Sequence, residues 1–315
     1  MENREEENGQ MTHKQAILLL SAVTATRGAA FLFSKLALRT MDTFNLMGIR
    51  FLLGFIILFL IFGKRIVQNF KWKTLCFGAV LGVIYTAVMA LELTSIKTTP
   101  TSTTAFLEHL AIIFVPIAES VIRKKLPKPA SAVSALLAIA GVALLTLSGN
   151  GSFVFTKGEV YAVICAVTFA VAIILTDRMS HTEDGLIIGF WQLGFMGVFG
   201  FIISFFLEAP KLPGTVFEWA VVLILALVCT AFGFAFQPVA QSGLSSEESG
   251  TICALNPTVA SILGAMFLKE PFSLQSVMGA LLILSGLIIT GKFGGDTDEG
   301  EAPYKNAQKK SAQKI

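Results

Sequence analysis

Charge is what this chain has least of. Of 315 residues, 14% are Asp, Glu, Lys or Arg and 54% are hydrophobic. Soluble domains carry about 25% charge, so this composition belongs to a membrane protein. Histidine is also scarce, with three in all. Only His109 lies inside an apolar segment, which excludes a His-Glu-x-x-His zinc site. The four cysteines (Cys76, Cys165, Cys229, Cys253) show no Cys-x-x-Cys spacing. They read as small buried apolar residues, not as a disulfide or zinc framework. No Gly-rich loop with a Lys is present to cradle phosphates, which argues against an ATP-driven pump. The net charge of +3 gives no reason to expect a nucleic-acid partner. Residues 1–14 are polar and acidic and lack the basic region of a signal peptide, so the first apolar segment is read as retained.

What is present is apolar sequence in span-length pieces. A membrane-crossing helix needs about 20 mostly apolar residues. Ten segments approach that length: 15–38, 43–63, 73–94, 101–122, 130–148, 158–176, 185–207, 218–240, 249–268 and 273–291. Short polar links such as KKLPKP (124–129) and EAPKLPG (208–214) separate them and leave no room for a soluble domain. Residues 292–315 form a polar tail. With the N-terminus in the cytoplasm, the inside links hold Arg4, Lys14, Lys64, Arg65, Lys71, Lys73, Arg123, Lys124, Lys125, Lys128, Arg178 and the tail lysines. The outside links hold Arg39, Lys97, Lys157, Lys211 and Lys269. The positive-inside rule therefore places both termini in the cytoplasm, with an even number of spans in the cytoplasmic membrane.

A shift of 145 residues lays SAVSALLAIAGVALL (131–145) on SVMGALLILSGLII (276–289), matching Ser131 to Ser276 and Gly141 to Gly286. Each half then holds five spans. An odd number makes the halves enter the membrane in opposite senses, the inverted repeat of many secondary transporters, with the substrate site between the halves. The expected fold is thus an all-α integral membrane protein of ten helices in two inverted five-helix repeats. Its parts are a cytoplasmic segment (1–14), a first repeat (15–148), a linker (149–157), a second repeat (158–291) and a cytoplasmic tail (292–315).

The first half carries the intramembrane charge. Glu108 and His109 sit side by side in TSTTAFLEHLAIIFVP (101–116). An ionised side chain at mid-bilayer costs about 2.5–3.5 kcal/mol on insertion scales, so such residues face a protein interior or a water-filled cavity. At about 1.5 Å per residue, Arg27 lies roughly 18 Å into the first span, near the midplane. Arg50 enters the second span from the outer side. Lys35 and Glu92 lie nearer the span ends, where each is expected to snorkel to water. The second half offers neutral polar groups, chiefly Gln192, Gln237 and Asn256.

Arg27 or Arg50 would engage an anionic group of the substrate, with Gln192, Gln237 and Asn256 completing its site. Glu108 would bind an ammonium group or carry a coupling proton, helped by His109. An Arg27–Glu108 salt bridge that only pins two helices is the structural alternative. Pro116 and Pro257 each remove a backbone hydrogen bond and are expected to kink their spans. The pairs Gly78/Gly82 and Gly185/Gly189 read as close helix packing.

These features together resemble the EamA-type permeases of the drug/metabolite transporter superfamily, over about residues 15–291. The resemblance is carried best by SGLSSEESGTICALNPTVASILGAMFLKEPFSLQSVMGALLILSGLII (242–289), with Pro257 after Asn256, Lys269-Glu270 at a helix end and a Gly-bearing last helix. Arg50 in GIRFLLGFIIL looks like the arginine common in the family's second helix. The sequence departs from the pattern at Arg27-Gly28, where relatives commonly have Trp-Gly, and at Lys125, where the first repeat often has a glutamate.

The resemblance implies small-metabolite transport, often export of amino acids or similar solutes, by alternating access and without a cofactor. The partners expected are a small-molecule substrate and the bilayer, with a functional monomer. An intramembrane enzyme and a passive channel or sensor are the competing classes. For the topology, single cysteines placed at Lys71 and Lys211 of a cysteine-free variant should react with an impermeant maleimide from opposite faces, Lys71 only from the cytoplasmic one.

Overall fold

The structure is a computed structural model and describes residues 12–122, 124, 129–146, 156–180, 182–242, 244, 252–253, 255–270 and 273–293. The chain folds as α1 (His13–Ala37), α2 (Thr43–Gln68), α3 (Trp72–Thr98), α4 (Thr101–His109), α5 (Ala111–Ile122), α6 (Pro129–Thr146), α7 (Lys157–Ser180) and α8 (Gly185–Leu207). Then come α9 (Val216–Ile224), a π-helical segment (Leu225–Phe232), α10 (Gly233–Ser242), α11 (Asn256–Leu268) and α12 (Leu274–Phe293). Among the described residues no strand occurs. Seven helical stretches are long and apolar enough to cross a membrane: α1, α2, α3, α4 with α5, α7, α8, and α9 through the π segment to Gln237. Shorter apolar helices lie at Pro129–Leu144, Asn256–Leu268 and Leu274–Ile289. Residues 1–11, most of the 149–157 linker and the tail from 294 lie outside the described residues, as do Lys125 and Ala254.

The outward surface is apolar, with Leu60, Phe206, Phe217 and Met266 all largely exposed, as a lipid-facing surface requires. Between helices, lipid supplies no hydrophobic drive, so association depends on close packing at small residues. Three crossings show this. At α3–α8, a Cβ on Gly82 would sit 2.5 Å from Phe195 Cβ, and one on Gly78 would overlap Trp191. At α2–α8, Gly200 lies against the Gly48 backbone and Gly197 against Leu52, so the two helices run antiparallel. At α6–α12, a Cβ on Gly141 would meet Gly279 O at 2.6 Å, and one on Gly286 would meet Ser134 O at 2.9 Å. That crossing is antiparallel too.

The second glycine pair behaves differently from the first. Gly185 has Ser180 as its nearest neighbour at 3.2 Å, and Gly189 meets Phe234 at 3.4 Å, so neither forms a close crossing. Cys76 is exposed instead of buried, whereas Cys165 and Cys229 are buried and Cys253 is intermediate. The two prolines take different positions. The fourth span is interrupted at Leu110, and α5 runs on through Pro116. Pro257 stands in the first turn of α11, where no donor is needed, so it starts a helix and does not kink one. The irregularity that sequence reading missed is the π segment, one of the rare helical forms often found at functional positions.

The close crossings predict a sharp contrast. Gly78→Leu should lower stability in detergent by about 1–3 kcal/mol through overpacking. Gly185→Ala should leave the thermal midpoint of the same purified protein nearly unchanged.

Candidate functional site

The interior charges cluster where α1, α2, α3, α4 and the π segment approach one another. Arg27 donates from Nη1 to Gln237 Oε1 at 2.7 Å, across 210 residues of sequence. Gly28, the next residue, lets α11 close in: a Cβ there would lie 2.7 Å from Val259 Cβ and 2.8 Å from Asn256 O. Arg50 is buried and donates from Nε to Thr230 Oγ1 at 2.9 Å and from Nη1 to Ser34 Oγ at 3.4 Å. Its guanidinium also stands 5.2 Å from the Phe51 ring centroid. Thr230 belongs to the π segment, so the irregular helix supplies the partner that Arg50 requires.

Glu92 and Glu108 are 5% and 6% exposed. Glu92 is therefore enclosed and does not reach water as its sequence position suggested. Both carboxyl groups are enclosed on consecutive helices, Glu92 on α3 and Glu108 on α4. The helix pairing explains why they meet. Ser95 Oγ and Thr104 Oγ1 are 2.9 Å apart and tie α3 to α4. Glu92 precedes Ser95 by three residues, and Glu108 follows Thr104 by four. Positions three and four apart share a helix face. On antiparallel helices that puts the carboxyls opposite each other one turn further in.

Glu108 Oε2 is buried with no hydrogen-bond partner. Among the described residues no salt bridge joins it to Arg27. His109 is buried with Nδ1 2.7 Å from Ala105 O, a bond within its own helix. Asn256 is buried with Oδ1 unpartnered. Gln192 is buried at the α3–α8 crossing, its amide nitrogen 3.9 Å from Met196 Sδ, and no described hydrogen bond joins it to the arginines. The structure thus brings together Arg27, Arg50, Glu92, Glu108 and Gln237, with Ser34 and Thr230 as partners that sequence reading missed. A hydroxyl in an apolar helix carries no signal until its donor is located.

Lys35 also turns inward. Its Nζ is 3.0 Å from Glu270 Oε1 and 2.9 Å from Thr99 O. Glu270 in turn accepts from Thr101 N at 2.8 and 3.0 Å and from Thr101 Oγ1 at 2.8 Å, occupying the N-terminus of α4. An acid there complements the helix dipole and its free N–H groups. Lys269 turns the chain at φ 55°, in the left-handed region, so that Glu270 folds back over α4. This closes the end of the bundle at which α1 finishes. At the opposite end Arg65 pairs with Asp184 at 2.9 Å, and Glu183 with Lys71 at 2.7 Å and Lys73 at 3.5 Å. Those contacts join the α2–α3 link to the α7–α8 link.

A bundle of long apolar helices that gathers charges inside and ties both ends with ion pairs is a multi-pass membrane protein. The EamA-like transporter family model matches the chain at residues 14–147 and again at 156–291. The chain belongs to the EamA-like transporter family. An uncharacterized transporter of Archaeoglobus fulgidus is 25% identical, over 87% of this chain and 96% of that protein. The uncharacterized transporter YetK of Bacillus subtilis is 26% identical, over 90% and 89%. A biotin transporter of Escherichia coli is 22% identical, over 58% and 62%. One solved crystal structure shares the fold at TM-score 0.62 and 17% identity, covering 88% of this chain and 96% of that one.

The Glu183 cluster gives a pH dependence with a definite sign. The hydrogen bond from Lys71, aided by Lys73, holds the Glu183 carboxyl below its usual range. Its contribution is fully present above the unfolded glutamate value of about 4.3 and is lost as pH falls through the lower folded value. Exposed pairs are worth less than about 1 kcal/mol. Thermal unfolding of Glu183→Gln should therefore show a smaller acid-side loss than wild type, and the difference should shrink in high salt.

Proposed function

We propose that this protein is a secondary transporter that exports a small polar metabolite, an amino acid or related solute, across the cytoplasmic membrane by alternating access with proton coupling. The observation that carries the reading is the charge arrangement inside the bundle. Arg27 and Arg50 are held by Gln237, Thr230 and Ser34, all neutral. Neither cation is neutralised by a direct ion pair among the described residues, which suits each to an anionic substrate group such as a carboxylate. Glu108, with a free buried oxygen, suits an ammonium group or a proton. A zwitterion would satisfy both signs. The relative named a biotin transporter is a second pointer to small organic solutes.

The reading includes ten spans in two inverted five-helix repeats, and three features support it. The two non-glycine residues with positive φ among those described, Lys124 (φ 54°) and Lys269 (φ 55°), stand 145 residues apart, the shift read from the sequence. At the α6–α12 crossing, Gly141 meets Gly279 and Gly286 meets Ser134. The same shift exchanges those two contacts, as a two-fold axis in the membrane plane would. The helix pairs α3–α7 and α1 with the π segment and α10 are likewise exchanged by swapping the halves, as are α1–α11 and α7 with α4 and α5. Two inverted halves enclose a pathway between them, so the functional unit is a monomer with both termini in the cytoplasm.

The test is counterflow in proteoliposomes preloaded with a panel of amino acids, amines, nucleobases and organic acids. A labelled solute should exchange in wild type, and an imposed pH gradient should concentrate it. Arg27→Ala should lower exchange of a carboxylate solute by at least tenfold, the loss of about 1.4 kcal/mol of binding. Glu108→Gln that keeps exchange while losing gradient-driven accumulation assigns the coupling proton to Glu108, and loss of exchange itself in a folded variant assigns Glu108 to the substrate's ammonium group. Flux without saturation or exchange would mean a channel, and a new product would mean an enzyme.

A further inference from the structure

The sequence pairs Glu108 with its neighbour His109, but the fold pairs it with Glu92. Both carboxyls are more than nine-tenths buried, they come from adjacent antiparallel helices, and the Ser95–Thr104 bond fixes the helix register that makes them face. Two ionised carboxylates only accept, so carboxyls set face to face in this way can join in a hydrogen bond when one carries a proton that the other receives. Like charges at such a distance inside an apolar bundle also repel strongly, which favours a single shared proton.

We propose that Glu92 and Glu108 form one proton-binding site, a hydrogen-bonded carboxyl–carboxylate pair that takes up and releases a single exchangeable proton as a unit. This deepens the proton-coupled transport reading and rests on it for its physiological meaning.

The surroundings fit a proton that can be exchanged for a cation. Arg27 on α1 and Arg50 on α2 are the cations near the pair, and Cys165 on α7 and His109 on α4 are the other titratable groups facing it or flanking it. Cys165 is engaged with Val88 O at 3.3 Å, and His109 Nδ1 with Ala105 O. Both arginines already hold neutral partners. When the shared proton leaves for the aqueous side, the second negative charge is left facing Glu108 Oε2, which lacks a partner. An ammonium group arriving there replaces the proton one for one, so the charge in the interior is conserved. Glu92 is thereby a proton-site residue that no motif marks.

The pair can be tested without knowing the substrate. Infrared difference spectra of the reconstituted protein, recorded between acid and alkaline buffer, report the carbonyl stretch of a protonated carboxyl. Wild type should show one such band that is absent or displaced in Glu108→Gln and equally absent or displaced in Glu92→Gln, with no further loss in the double variant. Glu92→Asp retains the carboxyl and withdraws it by one methylene, so it should shift the band while keeping the protein folded if Glu92→Gln does not assemble. A Glu108 band unmoved by either change at Glu92 would overturn the pair, as would two independently titrating bands or none. The transport reading fails separately: wild type that shows the shared band but exchanges no solute would keep the proton site and remove the transporter.

Discussion

A charge inside a membrane-spanning bundle has to find its partner on another helix, and this requirement organises the structure. Arg50 is buried, so its donors must be met within the protein. Ser34 on α1 and Thr230 on the π segment meet them, binding three separate spans around one guanidinium. Arg27 binds α1 to α10 through Gln237 in the same manner. The partners are neutral, which satisfies hydrogen bonding without cancelling charge. An interior built in that way is held together by hydrogen bonds between spans.

The close crossings serve the same end. Gly28 admits α11 beside Arg27, and Gly54 leaves room for Thr230, whose methyl would stand 3.2 Å from a Cβ there. Where a side chain replaced these hydrogens, the polar groups would be pushed apart by more than a hydrogen bond tolerates. At the end where α1 finishes, Gly264 leaves the space that the Glu270 carboxylate and Thr101 hydroxyl occupy. Packing and electrostatics are therefore not independent here, because small residues decide which polar groups can reach each other.

The two ends are tied by different chemistry. Glu270 is bound to backbone N–H groups and a lysine, whereas Glu183 lies between two largely exposed lysines. The first is directional and sheltered, the second screened by water and salt. Such a difference gives the ties at the two ends unequal sensitivity to salt.

Much was legible in the sequence because the signals are local. Apolar runs report crossing helices, since hydropathy is a property of a segment and lipid leaves backbone no alternative to helix. The same logic marked Arg27, Arg50 and Glu108 as residues that needed shelter, and Gly78 and Gly82 as a close crossing. What the tertiary structure decided are the pairings: Arg27 with Gln237, Lys35 with Glu270 across 235 residues, and Ser95 with Thr104, which sets Glu92 opposite Glu108. Depth along a span suggested that Glu92 would reach water, but depth says nothing about rotation about the helix axis. Pro257 misled for a related reason, since a ring that breaks a helix also starts one, and only the surrounding hydrogen bonds distinguish the two. Sequence fixes how far along a helix a charge lies; which neighbour it faces depends on helix rotation and packing, and those exist only in the assembled bundle.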